Sequence, residues 1–128
     1  METYLKSSGN QRGQPWCGAF VTWCLKQVGL AVPPGSGAAR NWFPAAKVIY
    51  SRGMALRGPP KQGDCVGFYY ANLGRIGHVG FVDRWGEDFV ITVEGNTGSG
   101  GINRNGDGVY RMRRLRSQIT IVSSWIPE

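Results

Sequence analysis

The chain has 128 residues, 41% of them hydrophobic, with 15 Lys and Arg against 8 Asp and Glu and a formal net charge of +7. That length supports one domain with its own core, residues 1–128. The lack of any run of about 18 apolar residues argues against a membrane span, and 20 glycines without a fixed period argue against a repeat protein. Three cysteines cannot all pair within one chain, so free thiols are expected, and the positive charge favours an anionic partner, be it nucleic acid, lipid or a wall polymer.

In chain order, Met1 is followed by Glu2 and Lys6 rather than by a basic start and an apolar stretch, so no signal peptide is expected. Residues 2–8 suit a short helix that Ser7, Ser8, Gly9, Asn10 and Gly13 break. The stretch PWCGAFVTWCLKQVG, Pro15 to Gly29, predicts an amphipathic helix. Phe20, Val21, Cys24, Leu25 and Val28 recur at helical spacing, Cys17 begins the stripe, and Lys26 and Gln27 fall off it. Pro15 suits a first turn and Gly29 a helix end, which puts Cys17 at the positive end of the helix dipole, where a thiol loses its proton more readily. From this helix alone Cys17 reads equally as a nucleophile or as a small buried hydrophobe. Cys17 and Cys24 are separated by about 10 Å of helical rise, beyond disulfide reach.

After Gly29, AVPPGSGAA predicts a turn. Ala38 to Lys47 predicts a second helix interrupted at Pro44, with Trp42 and Phe43 packing on the core. GPPKQGD, Gly58 to Asp64, is a loop that launches CVGFYY, the first strand. GHVGFVDRW, FVITVEGN, GVYRMRRLR and ITIVSSWI follow as further strands. Helices first and strands second predict an α+β fold with an antiparallel sheet. Alternation puts Phe89, Ile91 and Val93 on one face of their strand and Val90, Thr92, Glu94 and Asn96 on the other. His78 shares its face with Gly80 and Val82, so it meets Glu94 and Asn96 if the two strands are neighbours. A thiolate nucleophile needs a base, and the base needs a third group to orient it. His78 is the sole histidine, and Glu94 or Asn96 is the natural orienting group.

PWCGAFVTWCLKQVG, PKQGDCVGF, GHVGFV and VEGN, in this order, resemble the CHAP amidohydrolase/peptidase domain, a branch of the papain-like cysteine hydrolases related to NlpC-type wall peptidases. The resemblance spans roughly Pro15 to Pro127, and its strength lies in the ordered set rather than in any single short motif. It implies a helix-borne nucleophile on an antiparallel sheet, with Cys17 as nucleophile, His78 as base, Glu94 as the acid that orients it and Asn96 as a polar residue beside them. Papain-like enzymes also supply an oxyanion-hole side chain upstream of the cysteine. Gln11 and Gln14 are both available here, Gln14 being preferred, with the Cys17 backbone N–H as the other donor. The implied substrate is peptidoglycan, cut by acyl transfer without a cofactor, either at the amide joining muramic acid to the stem peptide or at a peptide bond of the stem or cross-bridge. Sugar cleavage is disfavoured, because it needs two carboxylates and only Glu94 falls in the constellation.

Three cysteines and one histidine also make a ligand set for zinc, but there is no C-x-x-C and Cys17 and Cys24 are too far apart along a helix to share a metal, so no metal site is expected. NRNGDG, Asn103 to Gly108, resembles the start of a calcium loop, yet Arg114 stands where the bidentate glutamate belongs, and a polar turn is expected instead. Arg111, Arg113, Arg114 and Arg116 crowd one strand near Tyr110 and raise a nucleic-acid binder as the alternative from another class. No nucleic-acid motif accompanies them, and a basic rim also suits an anionic wall. A non-catalytic wall-binding module is the third reading. The expected partners are peptidoglycan and, for an antibacterial effector, an immunity or inhibitor protein, with no nucleic acid, no stable membrane insertion and a monomeric state. The setting is synthesis in the cytoplasm and action in the periplasm or cell wall after release or secretion. A phage endolysin, an injected effector and a fragment of an autolysin all fit it.

Overall fold

The computed structural model describes residues 17–95 and 108–127. Its one α-helix among these, α1 (Cys17–Gln27), is followed by two 3-10 turns, η1 (Ala39–Trp42) and η2 (Ala45–Lys47). Then come β1 (Val48–Ser51), β2 (Met54–Ala55), β3 (Cys65–Tyr70), β4 (Arg75–Trp85), β5 (Phe89–Gly95), β6 (Val109–Leu115), a third 3-10 turn η3 (Arg116–Gln118) and β7 (Ile121–Ser123). The seven strands form one sheet in the order β2-β1-β7-β3-β4-β5-β6, antiparallel throughout. This is the α+β architecture expected, with one α-helix rather than several among the described residues.

The end of α1 follows from its sequence. Gly29 takes φ +76°, and the N–H groups of Gly29 and Leu30 donate to the carbonyls of Lys26 and Leu25 at 3.1 and 2.9 Å, a Schellman closure that a side chain with a Cβ resists. Val28 falls just beyond the helix and is 68% exposed, so it does not continue the buried stripe. The first turn and a half is buried all round, from Cys17 to Thr22. It is wedged against the Ser36–Gly37 backbone, so closely that a Cβ on Gly18 would lie 2.5 Å from the Gly37 carbonyl oxygen.

The expected helix over Ala38–Lys47 is replaced by the two 3-10 turns. Pro44 removes a donor and holds the chain extended at ψ 147°, so neither half reaches the length at which an α-helix propagates. Trp42 and Phe43 do pack on the core: Trp42 is fully buried, meets Trp125 edge-on at 5.2 Å and donates from Nε1 to the Ser36 carbonyl at 2.7 Å. The loop before β3 is closed by Asp64, whose carboxylate accepts the Lys61 N–H at 2.9 Å.

Strand alternation divides the core in two. Cys65, Val79, Phe81 and Val93 pack with Phe20, Val21 and Leu25 of α1. Val66, Phe68, Val82, Val90 and Val122 point the other way, where they meet Ile49, Tyr50 and Ile119. The sheet curls around this second cluster, bringing Tyr50 of β1 to Trp85 of β4 at 4.9 Å and the Arg116 guanidinium over both rings.

Candidate active site

Cys17 opens α1 and is buried against β4. Its sulfur faces His78 and accepts from the backbone N–H groups of Gly18 and Val79. His78 owes its place to a bulge. Phe68 pairs with His78 and Tyr69 with Ile76, which leaves Gly77 without a partner. A Cβ on Gly77 would lie 2.5 Å from the Tyr70 ring, so only glycine lets that ring lie against the strand here.

β4 and β5 are neighbours, which meets the condition that strand alternation set for His78 and Glu94. His78 Nε2 and Glu94 Oε1 are 2.7 Å apart, and both residues are buried. With Nε2 engaged by the carboxylate, Nδ1 is the ring nitrogen left for the thiol. Glu94 also accepts from the Thr92 hydroxyl and from Arg114, whose Nε and Nη2 reach Oε2 and Oε1 at 2.9 and 2.5 Å. Phe68 lies beneath, its ring 5.5 Å from that of His78 and 4.8 Å from the Arg114 guanidinium carbon.

The electrostatics follow from this packing. Burial opposes charge on Cys17, yet the hydrogen bond and charge of His78, with the Val79 and Gly18 N–H groups, lower its pKa. A helix terminus contributes only about 0.3–1 kcal/mol, so the histidine rather than the dipole decides the thiolate. Burial also disfavours the imidazolium, but the thiol on one side and Glu94 on the other raise His78 to about 9. Glu94 would be raised by burial alone, and the hydrogen bonds from His78, Arg114 and Thr92 hold it at about 2. The contact between Cys17 and His78 thus favours the thiolate on the one and the imidazolium on the other, beside a carboxylate that is held ionised. The other two thiols differ, burial pushing Cys24 to about 11 and Cys65 higher still.

Of the residues expected to form the site, the fold brings together Cys17, His78 and Glu94. Asn96, Gln14 and Gln11 lie outside the described residues, as does most of NRNGDG. Among the described residues no three of His, Cys, Asp and Glu cluster as metal ligands.

Arg114, one of the four arginines crowded within residues 111–116, does not join a basic rim but is turned inward, its side chain 24% exposed. The signal was the alternation of β6, which puts Tyr110, Met112 and Arg114 on one face and Arg111 and Arg113 on the other. Arg111 pairs with Asp83 at 2.8 Å and Arg113 covers the Phe89 ring at 3.8 Å, so the run is not a free basic stripe.

A buried thiol at a helix start, held against a histidine and a carboxylate on an antiparallel sheet, is an arrangement chemically suited to thiol-dependent acyl transfer. A family model of the CHAP domain matches residues 9–96, over half of the chain, and the chain belongs to the CHAP domain family. No curated protein and no solved structure gives a significant match.

Proposed function

We propose that this chain is a peptidoglycan hydrolase that cuts an amide or peptide bond of the stem peptide or cross-link, with Cys17 as nucleophile, His78 as acid and base, and Glu94 orienting the ring. The observation that carries this reading is the 2.7 Å contact of His78 Nε2 with Glu94, which leaves the other ring nitrogen to the Cys17 thiol. Membership of the CHAP family supports the wall substrate, and the net charge of +7 suits an anionic polymer.

In this mechanism the Cys17 thiolate attacks the carbonyl carbon, and the Cys17 N–H and Gln14 receive the developing oxyanion. The His78 imidazolium gives its Nδ1 proton to the leaving amine as the C–N bond breaks, which leaves a thioester on Cys17. Neutral His78 then takes a proton from water, the resulting hydroxide adds to the thioester, and the C–S bond breaks to restore the thiolate. Glu94 stays ionised throughout, holding the ring and stabilising its cationic form. Asn96 supports this orientation. The setting we propose is a phage endolysin or an antibacterial effector acting in the periplasm or cell wall, the second paired with an immunity protein.

Mass spectrometry of digested sacculi tests the reading. Loss of the stem from muramic acid identifies an amidase, and shortened or uncrosslinked stems on intact glycan identify an endopeptidase. New reducing sugar ends, or full activity in Cys17→Ala, would overturn the assignment.

A further inference from the structure

We propose that Arg114 is a positioning residue of this site: its guanidinium grips both oxygens of Glu94 and so fixes the carboxylate that in turn fixes the ring of His78. The inference rests on the function proposed above and deepens it. It begins with register, since β6 pairs Arg114 with Val90, Met112 with Thr92 and Tyr110 with Glu94, which sets Arg114 on the inward face of β5. From there the side chain runs along β5 to Glu94 and makes a two-pronged contact, at 2.9 and 2.5 Å. A fork of this kind holds a carboxylate coplanar with the guanidinium, which a single donor does not do. With Thr92 also on Oε2, Oε1 is left directed at His78 Nε2. Phe68 backs both Arg114 and His78, so neither plane tilts freely.

Charge leads to the same role. Cys17 thiolate, His78 imidazolium, Glu94 carboxylate and Arg114 guanidinium make a half- to fully-buried quartet of zero net charge. Without Arg114 the quartet carries one uncompensated negative charge, in surroundings where that is costly. The other titratable groups on this cluster are Tyr70 of β3, which senses Cys17, Arg114 and Glu94, and Tyr110 of β6, opposite Glu94 in register. The CHAP match ends at residue 96, so this arginine comes from a strand beyond the matched segment.

The test compares wild type with Arg114→Met and Arg114→Lys. The first readout is the pH dependence of Cys17 alkylation by iodoacetamide, followed on the Cys17 peptide by mass spectrometry. The second is kcat and KM on purified sacculi. Removing a cation raises the pKa of every neighbouring group. Arg114→Met should therefore move both limbs of the alkylation profile upward by about one unit and lower kcat about tenfold or more, with KM little changed. Arg114→Lys keeps the charge and loses the fork, so its limbs should stay near those of wild type while kcat falls about threefold or more. An Arg114→Met protein that folds cooperatively and titrates as wild type overturns the proposal. Should that variant not fold, wild-type kcat in Arg114→Lys overturns it. Alkylation needs no substrate, so shifted limbs in a protein that leaves sacculi intact would support the arginine's role while refuting the wall-hydrolase reading.

Discussion

At the scale of single residues, burial and charge compete on the same three side chains, and the winner differs among the cysteines. Cys17 and Cys65 are both buried, yet Cys17 faces His78, which lowers its pKa where burial raises that of Cys65. Cys17→Ala should therefore abolish wall hydrolysis in a zymogram while the circular dichroism spectrum stays the same. Cys24→Ala and Cys65→Ala should keep activity and lose about 1–2 kcal/mol of stability in urea titrations. The active form needs a thiolate and a protonated ring together. The rate should accordingly rise with pH as Cys17 ionises and fall as His78 loses its proton near pH 9, both limbs belonging to the coupled pair. Glu94 is not the source of the acid limb, because it remains ionised down to about 2. Its lowered pKa has a separate consequence for stability. The contribution is full above its ordinary value of 4.5 and is lost as pH falls from there towards about 2. Glu94→Gln should flatten that acid slope in denaturation midpoints, and should slow hydrolysis more than Asn96→Ala, because an amide orients the ring without stabilising its charge.

At the scale of elements, the site depends on two glycines that make room for it. Gly77 forms the bulge before His78, and Gly80 leaves space for Glu94, since a Cβ there would lie 2.7 Å from Glu94 Cγ and 3.0 Å from the Val93 carbonyl. Gly80→Ala should displace the carboxylate and lower the rate about tenfold or more with the sheet intact, as kinetics and circular dichroism would show together. Periodicity made α1 and β3 to β7 legible, and it placed His78 and Glu94 on compatible faces. It did not reveal β1, because a bulge at Ile49 breaks the alternation and leaves Val48, Ile49 and Tyr50 all buried in a four-residue strand. Nor did it reveal β2, two exposed residues whose pairing comes from the turn through Arg52 and Gly53, both at positive φ. Arg114 was hidden by its neighbours. Four arginines within six residues resemble a solvated run, and the order of strands that turns one of them inward is set by contacts distant in sequence.

Across the whole molecule, the positive charge should act on encounter with the wall rather than on the chemistry. Binding to intact sacculi should weaken as salt rises, whereas turnover of a short soluble stem-peptide fragment should change little, which sedimentation and kinetic assays at several ionic strengths would separate. The position of β7 has a consequence for biosynthesis. It lies between β1 and β3 and, among the described residues, is the one strand joining the β1–β2 hairpin to the rest of the sheet. Ser123 at its end and Trp125 just beyond donate to the Trp42 carbonyl at 2.7 and 3.1 Å, holding the segment that follows α1. As the ribosome extends the chain, Cys17, His78 and Glu94 emerge well before the strand that completes their scaffold. A product terminated before Ile121 should contain Cys17, His78 and Glu94, lack the strand that ties β1 to β3, and remain inert in a zymogram.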